Sequence, residues 1–143
     1  MICSDKRIPT EKDISPTNGL NLDEKCALEH FLGLDRQSAI QMLRDNAESL
    51  HVYLGDYVFM GRSAYDYYLP VLFQYLDELS DEDYIDYAPN SIDYILIRFF
   101  TDDAIPQAII DYILAMDKRL KHIPDNNHPP IPQRITNILS KYT

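Results

Sequence analysis

Apolar residues recur three and four positions apart along most of the chain, and the interruptions of that rhythm divide it into helices. Ala27, Leu28 and Phe31 make the inward face of a first helix. Asn21 or Asp23 can cap it, and Gly33 can end it, because glycine takes the left-handed conformation without a Cβ penalty. Asp35 opens a second helix with the stripe Ala39, Ile40, Met42, Leu43, Ala47. The stretch "HVYLGDYVFMG", residues 51–61, mixes strand formers with two glycines and reads as a helix end followed by a loop. Ser63 caps a third helix carrying Tyr65, Tyr68, Leu69, Leu72, Leu76 and Leu79. Pro70 lies inside it and predicts a kink or restart, because proline has no N–H and crowds the preceding turn.

Farther on, Asn90 or Ser91 opens a fourth helix with Ile92, Ile95, Leu96, Phe99 and Phe100 inward; a strand over 94–100 is the alternative. A fifth carries Ile105, Ile109, Ile113, Met116 and Leu120. It ends in Lys118, Arg119, Lys121 and His122, where cations complement the helix dipole. "PDNNHPPIP", residues 124–132, is loop, and a last helix from about Gln133 to Lys141 turns Ile135, Ile138 and Leu139 inward. The expectation is an all-α protein: a disordered, flexible tail over 1–20, then a single compact domain of about six helices over 21–143.

Composition agrees with a globular chain. A hydrophobic fraction of 45% over 143 residues can bury a core without metal or disulfide. "MICSDKRIPTEKD" lacks the apolar segment of a secretory signal, and no apolar run reaches the roughly 20 residues that span a bilayer. Two cysteines, Cys3 and Cys26, suit reduced thiols in a cytoplasmic protein.

Charge changes the picture more. Residues 1–76 hold 7 Lys+Arg against 11 Asp+Glu. Residues 77–117 hold Arg98 alone against 11 acids, and residues 118–143 hold 5 bases against Asp125. An acidic middle disfavours nucleic acid and anionic membrane as partners and attracts a basic protein.

Candidate chemistry follows from this. "LDELSDEDYIDY" puts Asp77, Glu78, Asp81, Glu82, Asp83 and Asp86 around Tyr84 and Tyr87. A calcium loop is excluded, because from Asp81 the fifth position is Ile85 and the sixth is Asp86 where glycine is required. Read as a solvated loop, the segment offers no environment to shift a carboxylate pKa for acid–base work. Carboxylates beside tyrosines do make a surface for Lys and Arg, through charge-assisted hydrogen bonds and cation–π contacts. These eight residues are the expected partner-binding set. Tyr67, on the other face of its helix from Tyr68, is a further candidate for exposure. Cys26 and His30, four apart, are two metal ligands where zinc needs three or four; His51, His122, His128 and Cys3 add no recognisable spacing. Nucleophile elbows, zinc-protease motifs and phosphate loops are absent, and the helix pair around Gly33 lacks the basic residues of a DNA-reading helix. No cofactor, metal or catalytic residue is expected.

Two segments carry a resemblance. "EHFLGLDRQSAIQML" and "GDYVFMGRSAYDYYLPVLFQYL" resemble a group of small bacterial proteins of unknown function. A Phe-x-Gly turn there leads into a helix, followed by a Met-Gly-x-x-Ala-x-x-Tyr-Tyr-Leu-Pro segment. The matching positions are Phe31 and Gly33, then Met60, Gly61, Ala64, Tyr67, Tyr68, Leu69 and Pro70. In type, the chain is similar to immunity partners of bacterial polymorphic toxins: small, acidic and without catalytic motifs. The motif resemblance covers about a third of the chain and carries over no functional residue; the likeness in type, with the concentrated negative charge and its interleaved tyrosines, leads to the expectation of an interaction protein, an inhibitor that covers a basic toxin or effector. A homo-oligomer joined through the tyrosine-rich helix is the second reading, and an unrecognised enzyme the third.

Overall fold

The computed structural model describes residues 7–17, 21–124 and 129–143. Among them are eight α-helices: α1 Glu11–Ile14, α2 Leu22–Phe31, α3 Arg36–Asp45, α4 Leu50–Phe59, α5 Arg62–Asp77, α6 Asp81–Leu96, α7 Gln107–Lys121 and α8 Gln133–Tyr142. Two short 3₁₀ turns, Ala47–Ser49 and Asp102–Ala104, accompany them, and no strand occurs among the described residues. The all-α expectation holds, with eight helices in place of about six. The chain forms two compact units, Met1–Tyr75 and Leu76–Thr143.

In the first unit, α2 packs on α4. Phe31 of α2 meets the rings of Tyr53, Tyr57 and Tyr68, which lie with centroids 4.8 to 6.3 Å away. Residues 50–59, expected to be mostly loop, are helical because Leu50, Tyr53, Leu54 and Tyr57 are buried together. These four follow the i, i+3, i+4, i+7 rhythm of one helix face, but exposed Val52 and Phe59 put apolar residues on the opposite face and mask it, and packing lets aromatic residues sit in a helix against their propensity.

Inside the expected tail, residues 7–17 are ordered; 1–6 and 18–20 lie outside the described residues. Thr10 and Asp13 form a reciprocal capping box around α1, and Ile14 is fully buried. Glu24 of α2 accepts hydrogen bonds from the Ser15 and Thr17 hydroxyls and the Thr17 N–H. Gly61 donates its N–H to the Ile14 carbonyl at 2.9 Å. A Cβ on Gly61 would sit 2.0 Å from the Asp13 carbonyl oxygen, so only glycine admits the segment here.

Pro70 does not break α5. Tyr57 of α4 donates its hydroxyl hydrogen to the Tyr68 carbonyl at 2.7 Å, next to the turn that the proline opens. Pro70 itself faces solvent, where water can serve the Asp66 carbonyl. Tyr68 in turn places its hydroxyl 3.0 Å from the Phe31 carbonyl and 2.7 Å from that of Leu34, satisfying the end of α2 around Gly33, whose φ is +83°.

In the second unit, α6, α7 and α8 pack on one another around Tyr84, Ile85, Ile92, Ile95, Ile109, Ile113, Met116, Ile135 and Ile138. Here α6 begins ten residues before the expected cap. Ser80 is the N-cap, accepting from the Asp83 N–H at 3.2 Å, and the helix runs through the buried Pro89. Asn90 donates its side-chain amide to the Asp86 carbonyl at 2.9 Å in the middle of α6, so it does not open a helix. Of the expected loop 124–132, residues 125–128 lie outside the described residues.

Candidate functional site

The acidic segment is a helix start, not a loop. Asp81, Glu82 and Asp83 occupy the first turn of α6, where carboxylates meet the positive end of the helix dipole. Arg119 of α7 fastens this corner. Its guanidinium donates to the Leu79 carbonyl at 2.8 Å, to the Asp77 carbonyl at 3.4 Å and to the Asp81 carboxylate at 3.1 Å. It also lies over the Tyr84 ring, 3.7 Å from the centroid. Below it, the Tyr84 and Tyr112 hydroxyls are 3.2 Å apart, and Tyr112 donates to Asp77 at 3.4 Å. Burial raises the pKa values of Tyr84, Tyr112 and the Asp77 carboxyl. Tyr84 is 1% exposed, which corrects its place in the expected binding set: its ring is the platform for Arg119. Asp77 and Asp81 are committed in part to the same corner. Glu78, Glu82, Asp83, Asp86 and Tyr87 remain at the surface.

Beyond the corner, the outer face of α6 is continuous. At about 100° per residue, Asp83, Asp86, Tyr87, Asn90, Tyr94 and Ile97 fall within a stripe roughly 100° wide. All six are exposed. Asp93 flanks the stripe, and no Lys, Arg or His lies on α6. Past Ile97, a groove of about 360 Å³ opens between Leu96, Ile97, Phe99, Phe100 and Ile105, with Thr101, Asp102 and Arg134 completing its wall and Phe100 98% exposed at its rim. Tyr94, Ile97 and Phe100 were not expected at the site. Their signal was the seven-residue step from Tyr87 to Tyr94, visible only if α6 is carried through Pro89.

Elsewhere, His30 and Asp56 pair in the first unit, Nδ1 to Oδ2 at 2.6 Å, with the Tyr53 ring edge-on to the imidazole. Burial pushes the Asp56 carboxyl up to about 6, against the pull of His30. Cys26, one turn back on α2, is exposed. Among the described residues no three His, Cys, Asp or Glu gather into a set that could hold a metal; Cys3 and His128 lie outside them. The α5 tyrosines, including Tyr67, are all buried; Arg36 lies 4.4 Å above the Tyr67 ring and donates to the Tyr67 carbonyl. That corrects the expectation of an exposed Tyr67. No described helix is long and apolar enough to cross a membrane. Comparison with protein-family models, characterised proteins and solved structures returns no match.

Proposed function

We propose that this chain is a protein-interaction module, an immunity-type inhibitor acting in the cytoplasm. It would cover the cationic surface of a basic toxin or effector with the outer face of α6. One observation carries this reading: five acids and no base on a helix whose exposed stripe also presents Tyr87 and Tyr94. Carboxylates supply long-range attraction and charge-assisted hydrogen bonds. The two rings supply apolar area with a polar tip at small entropic cost. Occlusion needs no catalytic group, only a complementary face.

Affinity capture from the native cell, eluted with rising salt, tests it. The expected result is one basic protein released only at high salt and no longer retained by the Glu82→Gln, Asp83→Asn, Asp86→Asn triple variant. Asp81 is left intact because it holds Arg119. Retention of the same protein, at the same salt, by the triple variant would remove the acidic face from the mechanism.

The self-association reading rested on the tyrosines of α5, and those residues are in the core.

A further inference from the structure

The α6 stripe and the groove are adjoining parts of one surface. Ile97 belongs to both, closing the stripe and lining the groove. From Asp83 to Ile97 is fourteen residues, or roughly 21 Å of helix. One end of this surface is anionic; the other is a recess in which Leu96, Ile97, Phe99 and Ile105 sit beside Thr101, Asp102 and Arg134 behind the exposed ring of Phe100. We propose that the partner element seated here is a basic amphipathic helix of about four turns. Its Lys or Arg residues would lie on the Asp83–Asp86 turn, and one large apolar side chain, about 20 Å away along the same helix, would enter the groove between Ile97, Phe100 and Ile105. This rests on the α6 reading above and adds the form of the partner and the site of its anchor.

Several observations select that occupant. The sign of the stripe demands a cationic segment and repels anionic lipid and nucleic acid. A second copy of this chain fits less well, because each copy brings a net charge of −10 to the contact. The groove volume is near the lower end of the range for small-molecule sites, about 300–1,000 Å³, and suits one or two side chains. It lies open beside a helix face rather than closed over. A stripe about 100° wide is the width one helix presents to another. Arg134, on the groove wall, offers its donors to the last carbonyls of an incoming helix.

The test uses labelled synthetic peptides of about 18 residues in fluorescence anisotropy. One carries two Lys a turn apart and a Leu fourteen positions on; a second has Ser for that Leu. The anchored peptide is expected to bind about tenfold or more tighter than the Ser peptide, as burial of one leucine implies. In Phe100→Ser the difference should vanish while the Ser peptide binds as before. Phe100 is 98% exposed, so its loss spares the core, and circular dichroism checks the helix content. Asp83→Asn with Asp86→Asn should weaken both peptides alike. Equal affinity of the two peptides, with the acid variants weakening both, overturns the groove and leaves the acidic face standing. Affinities and salt dependence untouched by the acid variants overturn the acidic face. A dimer in sedimentation that Phe100→Ser dissociates would assign the groove to a second copy and overturn the proposal.

Discussion

Tyr57 shows how much of this protein rests on single hydroxyl groups. Its ring fills the core between Phe31 and Tyr65, as a phenylalanine would. Its hydroxyl donates to the Tyr68 carbonyl of α5, beside Pro70. Tyr57→Phe keeps the packing and removes a buried hydrogen bond to the Tyr68 carbonyl, a loss of about 0.5–1.5 kcal/mol. Urea unfolding is the measure; an unchanged midpoint would mean that the Tyr68 carbonyl is served within α5 alone. The same logic explains why a chain with 11 Tyr and no Trp uses tyrosine where a core position calls for phenylalanine. Tyr68 terminates α2, Tyr57 supports α5, and Tyr112 and Tyr84 join across α6 and α7. Such hydroxyls were not legible in the sequence, because their partners are 11 to 37 residues distant.

Asp56 gives a second prediction at this scale. Its carboxyl is raised from 3.8 to about 6, chiefly by burial. Across that interval the folded chain holds a proton that the unfolded chain has released, so this group makes stability fall as pH rises through the window. Asp56→Asn preserves an acceptor for His30 and removes the titration. Stability of the wild type minus that of the variant should therefore decline between pH 4 and about 6 and level off above it. A flat difference would show that the pair with His30 outweighs burial.

At the scale of the element, α6 is the instructive case. Its acids divide by position. Those of the first turn stabilise the helix through its dipole. Asp86 lies deeper, three residues from Asp83 and four from Glu82, where like charges destabilise a helix. Asp86→Lys would replace repulsion with a favourable Glu82–Lys pair and raise stability by about 0.5–1 kcal/mol in chemical denaturation. The same change should weaken binding of a basic partner. A loss of stability instead would mean that Asp86 serves the fold, and the face would lose its reason for keeping an unfavourable charge. The sequence predicted α2, α3, α7 and α8 nearly in place, because each shows one apolar stripe between capping residues. It misplaced α6 because Pro89 reads as a boundary, and it missed α4 because apolar residues on several sides hide the period. The candidate site suffered with α6: its acids and Tyr87 were legible, whereas Tyr94 and Ile97 depended on the helix continuing. Tyr84 was misread because a tyrosine among carboxylates looks solvated, and Arg119, 35 residues on, supplies the cation that covers it.

For the whole molecule, the question is what a net charge of −10 does. Ion pairs such as Arg62–Asp66, Lys121–Asp117 and Lys141–Asp102 each have a well-exposed cationic partner and contribute little. Repulsion among 23 acids, only some of them neutralised by 13 bases, therefore outweighs attraction in the folded state. Screening should relieve it. Raising KCl from about 10 mM to about 0.3 M shortens the Debye length from roughly 30 Å to well under 10 Å. The thermal midpoint should then rise by about 2–4 °C, corresponding to about 1 kcal/mol for a chain of this size. Binding of a basic partner should weaken over the same range. Opposite responses of stability and binding to one variable are what a surface charge kept for recognition produces, since the fold would be better without it. A midpoint that falls with salt would show that the attractive pairs prevail, and the acidity would then belong to the architecture rather than to a partner.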